Sequence, residues 1–171
     1  MLRLYVMRHA KSSWAVPGAR DFDRELNDRG KSDLLLISRE IAKENLIPEL
    51  VLCSSSVRTR QTLDCISDAL KPEPEVEFLE SLYSGGMEDY LAAIRSRNDC
   101  KSIMTIGHNP MSGSLASALA GAGDIRAMEQ IAYKYPTATV AVLDFDLENW
   151  SEIEKGKGNL TSCLFPSLLR K

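Results

Sequence analysis

The sequence predicts an α/β protein: a three-layer sandwich whose mostly parallel central sheet carries helices on both faces and ends in an antiparallel edge strand. Three observations carry that expectation. Apolar runs of strand length alternate with longer stretches of helical periodicity. The runs are nearly continuous in apolar character, as in strands covered on both faces. Turn-forming residues separate each run from the helical stretch after it. No repeat, low-complexity tract or long linker divides the 171 residues, so one domain spanning 1–171 is expected.

The first strand is read at about Leu2 to Arg8, followed by a polar, glycine-containing loop from Lys11 to about Asp28. A helix is expected from about Arg29 to Asn45, because Leu34, Leu35, Ile37, Ile41 and Ala42 form an apolar stripe. Leu50 to Cys53, entered after Pro48, is the second strand. Ser54, Ser55 and Ser56 then offer caps for a helix ending near Leu70. Beyond Pro72 and Pro74 come a short strand, Val76 to Leu79, and a helix from Met87 to Arg97. After the strand Ile103 to Ile106, Asn109-Pro110 reads as a cap followed by proline at the first helical position, and that helix is expected to end at Gly121 and Gly123. Ala138 to Phe145 is a strong last strand, with Trp150 to Glu154 as its antiparallel edge partner.

The composition excludes several classes. A formal net charge of −3 gives no global attraction for nucleic acid or an anionic membrane, so neither is an expected partner and any anion site must be local. Arg3 and Arg8 interrupt the N-terminal apolar stretch, which does not read as a signal peptide, and no run approaches the ~20 apolar residues of a membrane span. A cytoplasmic location is expected. The four cysteines (Cys53, Cys65, Cys100, Cys163) form no paired motif, and with only two histidines no zinc site is predicted. Reduced, mostly buried thiols are the expectation.

Both histidines close a predicted strand. His9 follows Leu2–Arg8 and His108 follows Ile103–Gly107. In open α/β sheets ligands bind beyond the carboxyl ends of the strands, so both imidazoles fall where a ligand is expected. A neutral imidazole can attack a phosphoryl group, and Arg8 beside His9 can bind its oxygens. Read alone, the pair fits a structural hydrogen-bonding histidine equally well. In Ser54-Ser55-Ser56-Val57-Arg58-Thr59-Arg60-Gln61-Thr62 a strand gives way to a helix whose first N–H groups form an anion site. Two arginines in that first turn oppose the helix dipole, and a bound phosphate would explain Arg58, whereas Arg60 is read as pointing to solvent or to a carboxylate. In Gly107-His108-Asn109-Pro110 the glycine permits close backbone approach, and His108 could hold a phosphoryl oxygen. Among carboxylates that could protonate a leaving group, Glu80 is favoured, between a short strand and Ser84-Gly85-Gly86. Asp21 and Asp23 are read as solvated loop carboxylates.

Taken in order, Arg8-His9-Ala10-Lys11-Ser12, Arg24…Leu26-Asn27-Asp28-Arg29-Gly30, Ser54…Arg58…Gln61-Thr62 and Gly107-His108-Asn109-Pro110 resemble the histidine phosphatase superfamily, which contains cofactor-dependent phosphoglycerate mutase. The short chain, without room for a cap domain, resembles the bacterial phosphohistidine phosphatase (SixA) branch. The resemblance implies a phosphatase in which His9 is the nucleophile of a phosphohistidine intermediate. Arg8, Arg58 and His108 would complete the phosphate pocket, Arg24 would reach it, and Glu80 would be the acid. No metal or other cofactor is implied. The substrate would be a phosphorylated protein, phosphohistidine above all, or else a small phosphate ester. Ala10 replaces the family's usual glycine, and Lys11 replaces the mutases' glutamate, which argues against mutase activity.

Two other readings compete. Cys53 as nucleophile fails on spacing, since four residues separate it from Arg58 and six from Arg60, neither matching a cysteine-phosphatase loop. A non-catalytic phosphate-binding module keeps the pocket but loses turnover, and the presence of both histidines argues against it, since a pure binder needs arginines more than a nucleophile.

Overall fold

The structure is a computed structural model that describes residues 1–14 and 16–170. In chain order its strands are β1 (Leu2–Arg8), β2 (Leu50–Ser54), β3 (Glu75–Leu79), β4 (Ser102–Gly107), β5 (Ala120–Gly123), β6 (Val140–Phe145) and β7 (Gly158–Leu164). The helices are α1 (Asp28–Lys43), α2 (Val57–Ile66), α3 (Ser81–Ser84), α4 (Met87–Arg95), α5 (Met111–Leu119), α6 (Ile125–Tyr133) and α7 (Pro166–Leu169). The strands form one sheet in the order β3-β2-β4-β1-β6-β7-β5. Neighbours are parallel except where β6 meets β1 and β7, so β6 alone runs against the rest.

Strand alternation builds the three layers. Leu2, Leu4 and Val6 of β1 face one side with Leu50, Leu52 and Ile103, and are covered by Tyr90, Leu91 and Ile94 of α4 and by Leu115 and Leu119 of α5. Tyr5 and Met7 face the other side with Val51, Cys53, Met104 and Ile106, under Leu34, Ile37 and Ile41 of α1 and Leu63 and Ile66 of α2. Both faces are therefore apolar, which is why these strands lack a polar–apolar alternation. The α/β three-layer expectation matches this architecture. Among the described residues no helix is long and apolar enough to cross a membrane.

Local chemistry sets the helix ends. The Asn27 side chain accepts from Gly30 N at 2.9 Å and starts α1. At its other end Asn45 adopts φ 54°, and Leu46 N returns to Ile41 O, a left-handed stop that ends α1 at Lys43. Gly30 is required because a Cβ there would strike the backbone oxygen of Lys11, so the loop after β1 lies directly against the first turn of α1.

Four expectations about the C-terminal half are corrected. Trp150 to Glu154 is not an edge strand: residues Trp150–Glu152 form a 3₁₀ turn, and Trp150 and Ile153, three apart, are both fully buried. The antiparallel partner of β6 is β7, and β7 is internal because β5 lies outside it. The helix after His108 stops at Leu119, and Ala120–Gly123 pairs with β7 instead of ending a helix. Asn109 is not the cap of α5. Pro110 stands at that position, while the Asn109 side chain accepts from Gly113 N at 3.1 Å and donates to Tyr135 O at 2.9 Å.

The cysteines are free among the described residues, Cys53 buried and Cys65 exposed, so burial is less general than expected. Cys53 lies within β2, and burial pushes its thiol up to about 12, which removes it as a nucleophile.

The topology brings the carboxyl ends of β1, β2, β3 and β4 to one rim. Because β6 runs the other way, its start reaches the same rim, with Met7 opposite Val140.

Candidate active site

His9 emerges where β1 leaves the sheet, its backbone N–H held by Gly107 O at 3.0 Å. The ring is buried, and its Nδ1 lies 2.6 Å from Ala10 O. A carbonyl only accepts, so Nδ1 carries the proton. Arg58 Nε, a donor, lies 3.4 Å from His9 Nε2, which must therefore offer a lone pair. Two independent neighbours thus demand the same neutral tautomer. Burial pushes the His9 imidazolium down to about 3, against the pull of the Ala10 carbonyl, and the charges of Arg58 and Arg8 lower it further.

His108 stands beside it, ring centroids 5.2 Å apart. Its Nε2 is 2.8 Å from Ser54 Oγ, at the end of β2, and its backbone N–H donates to the Tyr90 hydroxyl at 3.1 Å. Gly107 is glycine because the Tyr90 ring and hydroxyl fill the space a Cβ would take. Burial holds the His108 imidazolium down at about 4, with Arg58 acting in the same direction. Its Nδ1 is buried without a hydrogen-bond partner.

The two arginines the sequence singled out stand at the same pocket. Arg8 NH1 donates to Tyr135 O at 2.9 Å, while its buried Nε has no partner. Arg58 is only 6% exposed; NH1 donates to Asp21 O at 2.7 Å and NH2 to Asp21 Oδ2 at 3.1 Å. Buried donors without acceptors are rare in folded proteins, and two polar atoms at one rim in that condition mark a place for an incoming group.

Asp21 is not the solvated carboxylate expected. It sits in a 3₁₀ turn, Asp21–Asp23, and accepts from Arg58, from Arg24 NH1 at 3.0 Å and from the Tyr83 hydroxyl at 2.9 Å. Burial alone would raise its carboxyl, but these donors overcome that and hold it at about 2. Asp23 fits its reading: it is exposed and pairs with Arg20. Arg24 meets the pocket through Asp21, its remaining contacts being to Ser13 O, to Ser12 Oγ and to the overlying Trp14 ring. Tyr83, edge-on to His108 with centroids 5.5 Å apart, walls the pocket. Glu80 is exposed at the rim, where its carboxylate accepts from Ser55 Oγ at 3.1 Å. Arg60 faces away, over the Phe78 ring.

A strand-end Arg-His pair, a second strand-end histidine and a helix-start arginine around one buried pocket form a single arrangement. The family model described as histidine phosphatase superfamily (branch 1) matches residues 4–83. An uncharacterized chloroplastic protein of Arabidopsis thaliana is 32% identical over 160 residues, covering 88% of this chain and 69% of its own. A crystal structure from Agrobacterium tumefaciens, assigned as a phosphohistidine phosphatase SixA, is 31% identical and superposes with a TM-score of 0.82 over 96% of this chain and 98% of that one. The chain belongs to the histidine phosphatase superfamily. It is a phosphatase with SixA-type neighbours. Phosphohistidine phosphatase SixA of Escherichia coli is a more distant relative, 28% identical over 122 residues, with 69% of this chain and 74% of that one covered.

Sequence reasoning set Asp21 aside as a solvated loop carboxylate and missed Tyr90 and Tyr135. An aspartate three residues before Arg24 was the one local sign of the first. The tyrosines act across the fold, and nothing beside them in the chain marks their targets.

Proposed function

We propose that this phosphatase hydrolyses phosphohistidine on proteins through a covalent intermediate on His9, without a metal. The observation that carries the reading is the His9 tautomer: Nδ1–H is tied to Ala10 O, and the Nε2 lone pair lies beside Arg58. A neutral, oriented imidazole needs no base to activate it.

The following roles are the ones this geometry supports. Arg8 and Arg58 neutralise the phosphoryl oxygens, supplying the positive charge that a metal supplies in other phosphatases. If the Ser54 hydroxyl donates to His108 Nε2, the unpartnered Nδ1–H of His108 donates to a phosphoryl oxygen. His9 Nε2 forms the N–P bond while the bond from phosphorus to the leaving group breaks. The leaving group takes a proton from Glu80. Asp21 does not fill that role, because three donors hold it ionised. Water then attacks phosphorus, returns a proton to Glu80, and releases phosphate and neutral His9. Arg24 braces this pocket through Asp21. An active-site rim without a cap admits a protein side chain, whereas a small metabolite is usually enclosed.

The test is turnover in excess EDTA of p-nitrophenyl phosphate, phenyl phosphate and a phosphohistidine peptide, with the parent, His9→Ala and Glu80→Gln. The expected result is EDTA-resistant turnover of all three that vanishes in His9→Ala. In Glu80→Gln the loss should be larger for phenyl phosphate, the poorer leaving group, than for p-nitrophenyl phosphate. Turnover surviving His9→Ala would place the nucleophile elsewhere. Hydrolysis of the esters alone would support the small-ester reading.

A further inference from the structure

A second cluster of charge borders the pocket. Lys11 follows His9 by two residues, so its Cα lies at most about 7.6 Å from that of His9, at ~3.8 Å per peptide. Lys11 opens a groove of about 410 Å³ that also gathers Arg29, Asp33, Lys134 and Arg170. Its far wall is continuous with the site: Lys134 precedes Tyr135, whose carbonyl holds Arg8.

The groove is built. Asp33 is only 3% exposed, and its carboxylate accepts from Arg170 at 3.0 and 2.8 Å, with Arg29 at 3.8 Å. That acid fixes the Arg170 guanidinium in the wall and holds Arg29 only as a looser ion pair. It balances one cation and leaves the others uncompensated. Among the described residues Lys11 and Lys134 make no ion pair, and both are exposed. In a chain of net charge −3 this is a concentrated basic face. A neighbouring groove has the other sign, where Asp21, Asp23, Glu25 and Asp28 surround Arg24, and Asp28 of that groove directly precedes Arg29 of the basic one.

We propose that this groove docks an acidic segment of the phosphorylated protein substrate, setting which phosphohistidine enters the site; the idea rests on the protein-substrate reading above. Its cationic heads stand in solvent, and Tyr133 beside them is 89% exposed. A small anion is normally buried in its pocket, so this open shape fits a protein surface. Neighbouring grooves of opposite charge also orient a dipolar partner and speed its encounter.

The test compares a phosphohistidine peptide carrying three aspartates next to the phosphorylated residue with its asparagine counterpart. For each, the inhibition constant against p-nitrophenyl phosphate is read together with its turnover, so the comparison exists whether or not the peptide is hydrolysed. The aspartate peptide should bind about tenfold tighter, since three exposed ion pairs of roughly twofold each multiply to that. Raising the salt should shrink the ratio toward one. In Lys134→Glu/Arg29→Gln the ratio should fall to about one while p-nitrophenyl phosphate turnover stays within about twofold of the parent, as expected for exposed charges at the rim. A ratio near one in the parent, or one that survives the double substitution, overturns the proposal. So does a parent that shows no peptide preference but is inhibited more strongly by propane-1,3-diyl bisphosphate than by propyl phosphate, which would assign the groove to a small second anion. Loss of phosphohistidine hydrolysis with the ratio intact overturns the substrate reading and leaves the groove standing.

Discussion

Lowering the pH from 8 to 5.5 should leave both imidazoles of the folded protein neutral. Burial holds His9 at about 3 and His108 at about 4, against an ordinary value of 6.5. For His9 that difference corresponds to about 5 kcal/mol against protonation in the fold, at about 1.36 kcal/mol per pH unit. The unfolded chain has no such penalty and protonates near 6.5. It therefore binds more protons than the folded state between 6.5 and the folded values, and stability rises with pH across that window. Stability from these groups is complete above 6.5 and is lost as pH falls toward 4 and then 3. At pH 5.5 each unfolded imidazole gains about 1.4 kcal/mol by protonation, so the pair lowers folding stability by about 3 kcal/mol relative to pH 8. With only two histidines in the chain, a ¹⁵N imidazole spectrum resolves both without assignment ambiguity from others. His9 should show a protonated Nδ1 and a bare Nε2, unchanged from pH 8 to 5. Urea midpoints over the same range supply the stability loss. A His9 signal that titrates near 6.5, or a protonated Nε2 at pH 7, would refute both the burial argument and the activated nucleophile.

Other expectations follow from the same contacts. Arg58→Gln removes the guanidinium nearest His9 Nε2 and should lower kcat/KM for p-nitrophenyl phosphate by about 10²- to 10³-fold, the usual loss for one charge-stabilising donor, while thermal unfolding shows the fold intact. Tyr90→Phe strips the acceptor from the His108 backbone N–H and should cost about 1–3 kcal/mol in urea unfolding, with a smaller loss of activity than His108→Ala; no stability change would mean that another acceptor takes its place. Asp21→Asn takes the negative charge away from Arg58 but keeps the backbone carbonyl that holds NH1, so inorganic phosphate should inhibit more strongly than in the parent; because Asp21 is half exposed, stability should change by no more than about 1 kcal/mol. Weaker phosphate inhibition in that variant would show that Asp21 is needed chiefly to aim Arg58.

The sequence by itself determined the layered α/β class and the position of both histidines, because these depend on local order. Apolar runs buried on two faces write themselves continuously into the chain, and a residue that closes such a run must stand at the sheet's rim. Arg8 and Arg58 were legible for the same reason, being tied to a strand end and a helix start. The C-terminal half was less legible. Trp150 and Ile153 read as strand residues until the fold showed them three apart on one turn, and the short, glycine-rich β5 has no apolar pattern of its own. Only the tertiary structure decided the state of the site. The tautomer of His9 is set by how its ring meets Ala10 O and Arg58, the latter 49 residues away, and the place of His108 by Ser54 and Tyr90. Asp21 became part of the pocket because α2 and Tyr83 present donors to it from distant segments, and the basic groove formed because α1, the end of α6 and the C-terminal turn converge on Lys11. Charge, burial and hydrogen bonding act through space, and the order of residues along a chain does not record which of them will meet there.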